Sequence, residues 1–126
     1  MRKLIKDYLK TSSELSRLLN ITSNDDKMYP NYSKKKEPYL VIKIRPQERS
    51  KPYVDELEVK IIDSNIDRQE EVQREILKLL DFGETTRHYT NGTNSILTSH
   101  LSGSGELEYE DLGLSEVNLN FEVKWR

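Results

Sequence analysis

The patterns along the chain predict an α+β protein made of one domain, residues 1–126. The expected architecture is a four-stranded, mainly antiparallel sheet with two main helices packed on one face, in the order α-β-β-α-β-β. Three observations predict it. Val117, Leu119, Phe121, Val123 and Trp125 alternate with polar residues, which is the signature of a half-buried strand. Val72, Ile76, Leu79 and Leu80 recur at steps of three and four, which is the signature of an amphipathic helix. Two further alternating runs, 38–46 and 53–63, are joined by the polar link "QERSKP", short enough for a hairpin.

Residues 2–19 read as helix in two pieces. Leu4, Ile5, Tyr8 and Leu9 form one apolar stripe, and Leu15, Leu18 and Leu19 form another. Between them "TSSE", Thr11 to Glu14, matches a capping box that starts a second short helix. Residues 22–37 are rich in Asn, Asp, Ser and Pro and read as a loop. In "PYLVIKIRP", Leu40, Ile42 and Ile44 share one face; in "YVDELEVKIID", Leu57, Val59 and Ile61 do. The main helix enters at Ile66, with Asp67 and Glu70 suited to its N-terminal cap and Gly83 to its stop. A polar loop spans 84–95, "ILTSHL" (Ile96 to Leu101) is a weak strand, "SGSGE" a flexible turn and "YEDLG" a tight one. The alternating strand 117–125 then pairs inside the sheet, with Trp125 covering one edge of the core.

Composition bounds the function. Of 126 residues, 34% are hydrophobic and 33% charged, so the core is lean and suited to completion by neighbouring subunits. A net charge of −2 gives no global basic field to hold nucleic acid. Without cysteine there is no disulfide, thiolate metal site or cysteine nucleophile. The charged start "MRKLIKDYLK" lacks a signal-peptide core, and no run approaches the roughly 20 apolar residues of a membrane span. A soluble protein made in a cytoplasm, with no membrane partner, is expected.

No convergent catalytic constellation stands out. His88 lies in the polar loop and His100 on the weak strand, with no second ligand at metal-binding spacing. Lys34, Lys35 and Lys36 form a basic run in a loop, read as a solvated turn rather than a phosphate site. Asp55, Glu58 and Lys60 form one pattern to be weighed, because Glu-x-Lys on a strand is the arrangement by which some nucleases hold Mg²⁺ and steady a water. Such a site needs another acid from an earlier strand, and "PYLVIKIRP" has none. No residue is therefore assigned to catalysis, cofactor binding or metal binding, and a Mg²⁺-dependent nuclease is the least favoured alternative.

The succession of short motifs resembles the tail-terminator, or tail-completion, proteins of long-tailed bacteriophages and prophages. A helical start is followed by a Y-P element, Met28-Tyr29-Pro30, and by a P-Y strand start, Pro38-Tyr39-Leu40-Val41. A helix with an I-x-x-L-L ending, Ile76 to Leu80, follows the second strand. The chain closes with Tyr109, Asp111, Gly113 and Leu114, one residue tighter than the family's turn, and then Phe121, Val123 and Trp125. The stretch from Gly83 to Gly105 departs from the pattern by being more polar. The resemblance implies a structural virion protein without catalysis or cofactor, assembled in the bacterial host cytoplasm. Such proteins form a ring, usually of six subunits, on the head-proximal end of the tail tube. The ring stops tube growth at the length a ruler protein sets and then offers a docking surface to the head connector, or stopper. DNA only passes through the lumen. Another neck or stopper protein is the alternative within the same virion class. Loops 22–37 and 84–95 are the expected contacts with neighbours or tube.

Overall fold

A computed structural model describes residues 1–33, 36–82, 89–109 and 112–126; for Tyr109 it describes the backbone alone. Helices α1 (Arg2–Leu9), α2 (Ser13–Leu19) and α3 (Ile66–Leu80) accompany strands β1 (Met28–Tyr29), β2 (Tyr39–Glu48), β3 (Tyr53–Asp63), β4 (Tyr89–Thr90), β5 (Ser95–Tyr109) and β6 (Leu114–Trp125). The sheet order is β1-β2-β3-β6-β5-β4. Its four long strands are antiparallel, whereas β1 runs parallel to β2.

The expected four-stranded, mainly antiparallel sheet with two main helices is thereby corrected. The sheet is six-stranded, mixed and curled into a half-barrel, and three helices accompany it. The two added strands are two residues each. Strands that short carry no period of their own; they form because the edges of β2 and β5 offer free backbone groups to whatever chain passes alongside. The third helix arises because both leucine stripes of the first twenty residues bury in full, each on its own helix. Leu4, Ile5 and Leu9 do so on α1, Leu15 and Leu19 on α2.

Local chemistry sets the boundaries. The cap of α2 is Ser12, one residue later than the capping-box reading, and its Oγ accepts the Leu15 amide at 3.1 Å. The same hydroxyl donates to Glu75 at 2.8 Å and so joins α2 to α3. Asn65, rather than Asp67 or Glu70, caps α3 by accepting the Arg68 amide at 3.1 Å. Gly83, the expected stop, lies outside the described residues, and α3 ends at a cap on Asp81. Beside the N-terminal cap, Asp63 is wholly buried and receives both Nε and Nη2 of Arg68 at 2.7 Å. That paired, charge-assisted geometry pushes the guanidinium pKa further up and makes the turn from β3 into α3 rigid.

The largest departure is in β5. "SGSGE", expected as a turn, is strand: Gly103 faces Asn120, Ser104 faces Leu119 and Gly105 faces Asn118. β6 supplies the template. It pairs with β3 from Ser115 to Trp125, and β5 follows its other edge up to Tyr109, crossing shifts in register at Ile96/Thr98 and Leu101/Gly103. The end of α3 fastens the outside of β5, with the Phe82 amide donating to the Ser99 carbonyl at 3.0 Å and the Leu101 amide to Asp81 at 3.0 Å.

All three helices pack on one face of the sheet. There Leu40 and Ile42 of β2, Leu57, Val59 and Ile61 of β3, and Val117, Leu119, Phe121 and Val123 of β6 join the helical leucines in one cluster. Phe121 is fully buried, whereas its neighbour Glu122 is exposed on the other face. Phe121→Ala should destabilise the protein by about 3–5 kcal/mol in a denaturant titration, while Glu122→Ala should stay within about 0.5 kcal/mol. A Phe121→Ala effect as small as that of Glu122→Ala would contradict this packing.

Candidate functional site

Three of the residues that carried the resemblance, Tyr29, Tyr39 and Leu114, meet at one end of the sheet, whereas Ile76 to Leu80, Phe121 and Val123 belong to the main core and Trp125 lies at the other end. Tyr29 of β1 and Tyr39 of β2 bring their rings to 5.4 Å, tilted by 48°. Both, with Leu114 at the start of β6, pack around Val41 and Ile62 in a second, smaller apolar cluster on the sheet's outer face. Period two puts them there: Tyr39 and Val41 fall on the opposite side of β2 from Leu40 and Ile42. Gly113 holds the turn before Leu114 with a φ of +63°, a conformation that favours glycine. Asp111 lies outside the described residues, as does the side chain of Tyr109.

Residues 22–33 reach this end by wrapping around the β2 edge, and short-range hydrogen bonds fix their path. The Asp25 carboxylate accepts the Tyr29 hydroxyl at 2.8 Å and the Lys27 amide at 2.9 Å; Asp26 accepts the Met28 amide at 3.0 Å and the Lys6 ammonium at 2.6 Å. Met28 buries on the helix side, while Tyr32 comes down on the outer face. There its hydroxyl donates to the buried Glu116 and receives the Lys60 ammonium at 3.0 Å. Tyr32, Tyr39, Ile62, Leu112 and Leu114 line an open, mainly apolar groove of about 300 Å³. Leu112, 71% exposed, stands at its rim.

Below this groove the outer face is a checkerboard of charge. Lys43 lies opposite Glu58, Arg45 opposite Glu56, and Glu56 opposite Glu122. Glu58 and Lys60 sit on this face, with 3.9 Å between their charged groups. Asp55 does not join them. It belongs to the helix-side phase of β3 with Leu57 and Val59, is 3% exposed, and accepts the Trp125 indole N–H at 3.1 Å. The nuclease constellation Asp55, Glu58 and Lys60 is therefore split across the two faces of the sheet. His100 is exposed beside Glu122, while His88 and the rest of 84–88 in the expected polar loop lie outside the described residues. Lys34 and Lys35 also lie outside them, while Lys36 accepts the Lys27 ammonium with its carbonyl at 2.9 Å. Among the described residues, no group of three His, Asp or Glu could hold a metal ion, and no helix is long and apolar enough to cross a membrane.

No protein-family model matches the sequence, and no curated protein matches it. Among solved structures, a chain from the virion of a native gene transfer agent particle shares the fold. The TM-score is 0.70 at 8% identity, over 99% of this chain and 93% of that one. At that identity the likeness is one of fold.

Burial, and then the hydrogen bond to Asp25, push the Tyr29 hydroxyl up to about 12. The raised value favours the protonated phenol in the folded state. Its contribution to stability is full below the ordinary value of 10.0 and is lost as pH rises through about 12. Ultraviolet titration should show a phenol with a midpoint near 12 that Tyr29→Phe removes. Between those two pH values, the variant should lose stability less steeply than the wild type.

Proposed function

We propose that this chain is a structural virion protein of the tailed-phage type, acting as a tail terminator. In this reading it forms a ring, six-membered on the family pattern, on the head-proximal end of the tail tube. The ring halts tube growth and presents the surface to which the head connector or stopper docks. DNA passes through the lumen without being read, and no catalysis or cofactor takes part. The observation that carries the reading is the fold likeness to a virion chain over nearly the full length of both molecules. The motif succession supports it independently: its Tyr29, Tyr39 and Leu114 come together in one cluster although the sequence separates them widely.

The surface suits assembly by contacts that are weak singly. The outer face pairs opposite charges between β2 and β3, and large exposed apolar side chains are few among the described residues: Tyr32, Ile66, Leu107 and Leu112. Polar interfaces of this kind gain strength when a ring closes or a template aligns several at once. A subunit that is monomeric or weakly associated until the tube is complete also avoids capping it early.

Sedimentation of the pure protein should give a monomer or a weak oligomer. Particles from a strain deleted for the gene should carry overlong or headless tails, and wild-type particles a ring at the upper end of the tube. Normal tails joined to heads in the deletion strain would refute the reading. Tails of correct length that fail to join would assign the chain to the neck instead.

A further inference from the structure

At the opposite end of the sheet, on the helix side, the core face runs on beyond the cover of the helices. It opens there into a pocket of about 420 Å³ whose walls include Arg2, Ile44, Glu48, Arg49, Tyr53, Asp55 and Trp125. Tyr53 and Trp125 face each other across β3 and β6, with ring centroids 4.7 Å apart and an interplanar angle of 36°. Asp55 follows two residues after Tyr53 on the same face. Its Oδ2 accepts the Trp125 indole N–H, and Oδ1 has no donor among the described residues. The two arginines in the wall do not neutralise it. Arg2 directs Nη1 to the Ile42 carbonyl, and neither Arg2 nor Arg49 forms an ion pair with the carboxylate.

The indole N–H occupies one carboxylate oxygen, and Oδ1, which is not among the buried unpartnered atoms, is left open to the pocket to accept another donor. Aromatic faces beside it add a surface that attracts cations and stacks on planar ones. We propose that this pocket is a binding site for the basic side chain of another protein chain, an arginine above all. The guanidinium would donate to Oδ1 of Asp55 and lie against Tyr53 and Trp125, and its alkyl stem would cover Ile44. Lysine fits the same charge but lacks the plane, and so binds more weakly. The inference does not rest on the virion reading, since the pocket has this chemistry in the isolated chain.

Trp125 is the only tryptophan, so its emission reports on the pocket directly. The full chain is titrated at low salt with N-acetyl-arginine amide, N-acetyl-lysine amide and, as the neutral comparison, N-acetyl-glutamine amide. Arginine amide should change the emission saturably, lysine amide more weakly, and glutamine amide not at all. Asp55→Asn, which keeps an acceptor for the indole, should weaken arginine amide binding by about tenfold or more. Glu122→Gln, exposed on the other face of the sheet, should leave it within about twofold. Should Asp55→Asn not fold, the wild-type nitrogen–proton spectrum decides, because the Trp125 indole peak should move with arginine amide and stay still with glutamine amide. No saturable change, or an equal response in Asp55→Asn, would overturn the proposal. An Arg49→Ala variant whose emission already differs, and which alone binds the probe, would overturn it too by showing that the chain fills its own pocket.

Discussion

The fold rests on the pairing of β3 with β6. All eleven residues of β3 have a partner on β6, from Tyr53 opposite Trp125 to Asp63 opposite Ser115. The two strands sit at the middle of the sheet, so every other strand is added to one side or the other of this pair. Their helix-side rows, Leu57 against Phe121, Val59 against Leu119 and Ile61 against Val117, form the floor on which the helices rest. A slip of one residue would turn that whole floor outward. The pairing is also remote in sequence. The chain must close long loops before the contacts reward it, which places the fold among those with slow, non-local assembly.

Polar groups lock the register where apolar packing alone would leave it loose. Gln69 reaches down from α3 to donate to the carbonyls of Ile61 and Ser115, each at 2.9 Å, and accepts the Ser115 hydroxyl at 2.7 Å. One helical side chain thus bridges β3 and β6 at the end where the helix departs. At the other end the Trp125 indole does the same by donating to Asp55. The backbone of Arg126 exchanges both hydrogen bonds with Ser95, so the last residue remains paired. A buried amide and a buried carboxylate specify one alignment because any other would leave them without partners.

These facts separate what the sequence reveals from what it conceals. The phases of β2, β3, β6 and α3 are legible because each buries one face, and burial imprints a period of two or 3.6. β1 and β4 are not, since two residues carry no period. "SGSGE" misleads because Gly and Ser signal turns by local preference, whereas here the long neighbouring strand imposes extension on them. The caps at Ser12 and Asn65 fall near, but not at, the positions the sequence suggests, because several oxygen-bearing side chains compete there and only the final path selects one. Asp55 leaves a usable signal. It stands in the apolar phase of β3, two residues before Leu57, and a carboxylate in that phase implies a buried partner. Grouping it with Glu58 and Lys60 by proximity ignores the alternation that sends them to opposite faces.

The distribution of chemistry over the sheet constrains how this molecule can meet others. Its outer face carries Lys43, Arg45, Glu56, Glu58, Lys60, Glu122 and Lys124 in nearly balanced numbers, most of them opposite a partner of other sign or a neutral residue. Such a face has little net field, so it neither attracts nor repels a polyanion strongly at a distance beyond about 8 Å in physiological salt. Apolar surface that water would give up lies instead at the two ends of the sheet: the tyrosine groove beside Tyr39 and Leu114, and the aromatic pocket beside Tyr53 and Trp125. Binding energy concentrates where aromatic side chains can be desolvated, while paired surface charges contribute little. A partner that covers either end would therefore bury aromatic surface, whereas one that lies along the strands between would meet mainly paired charge.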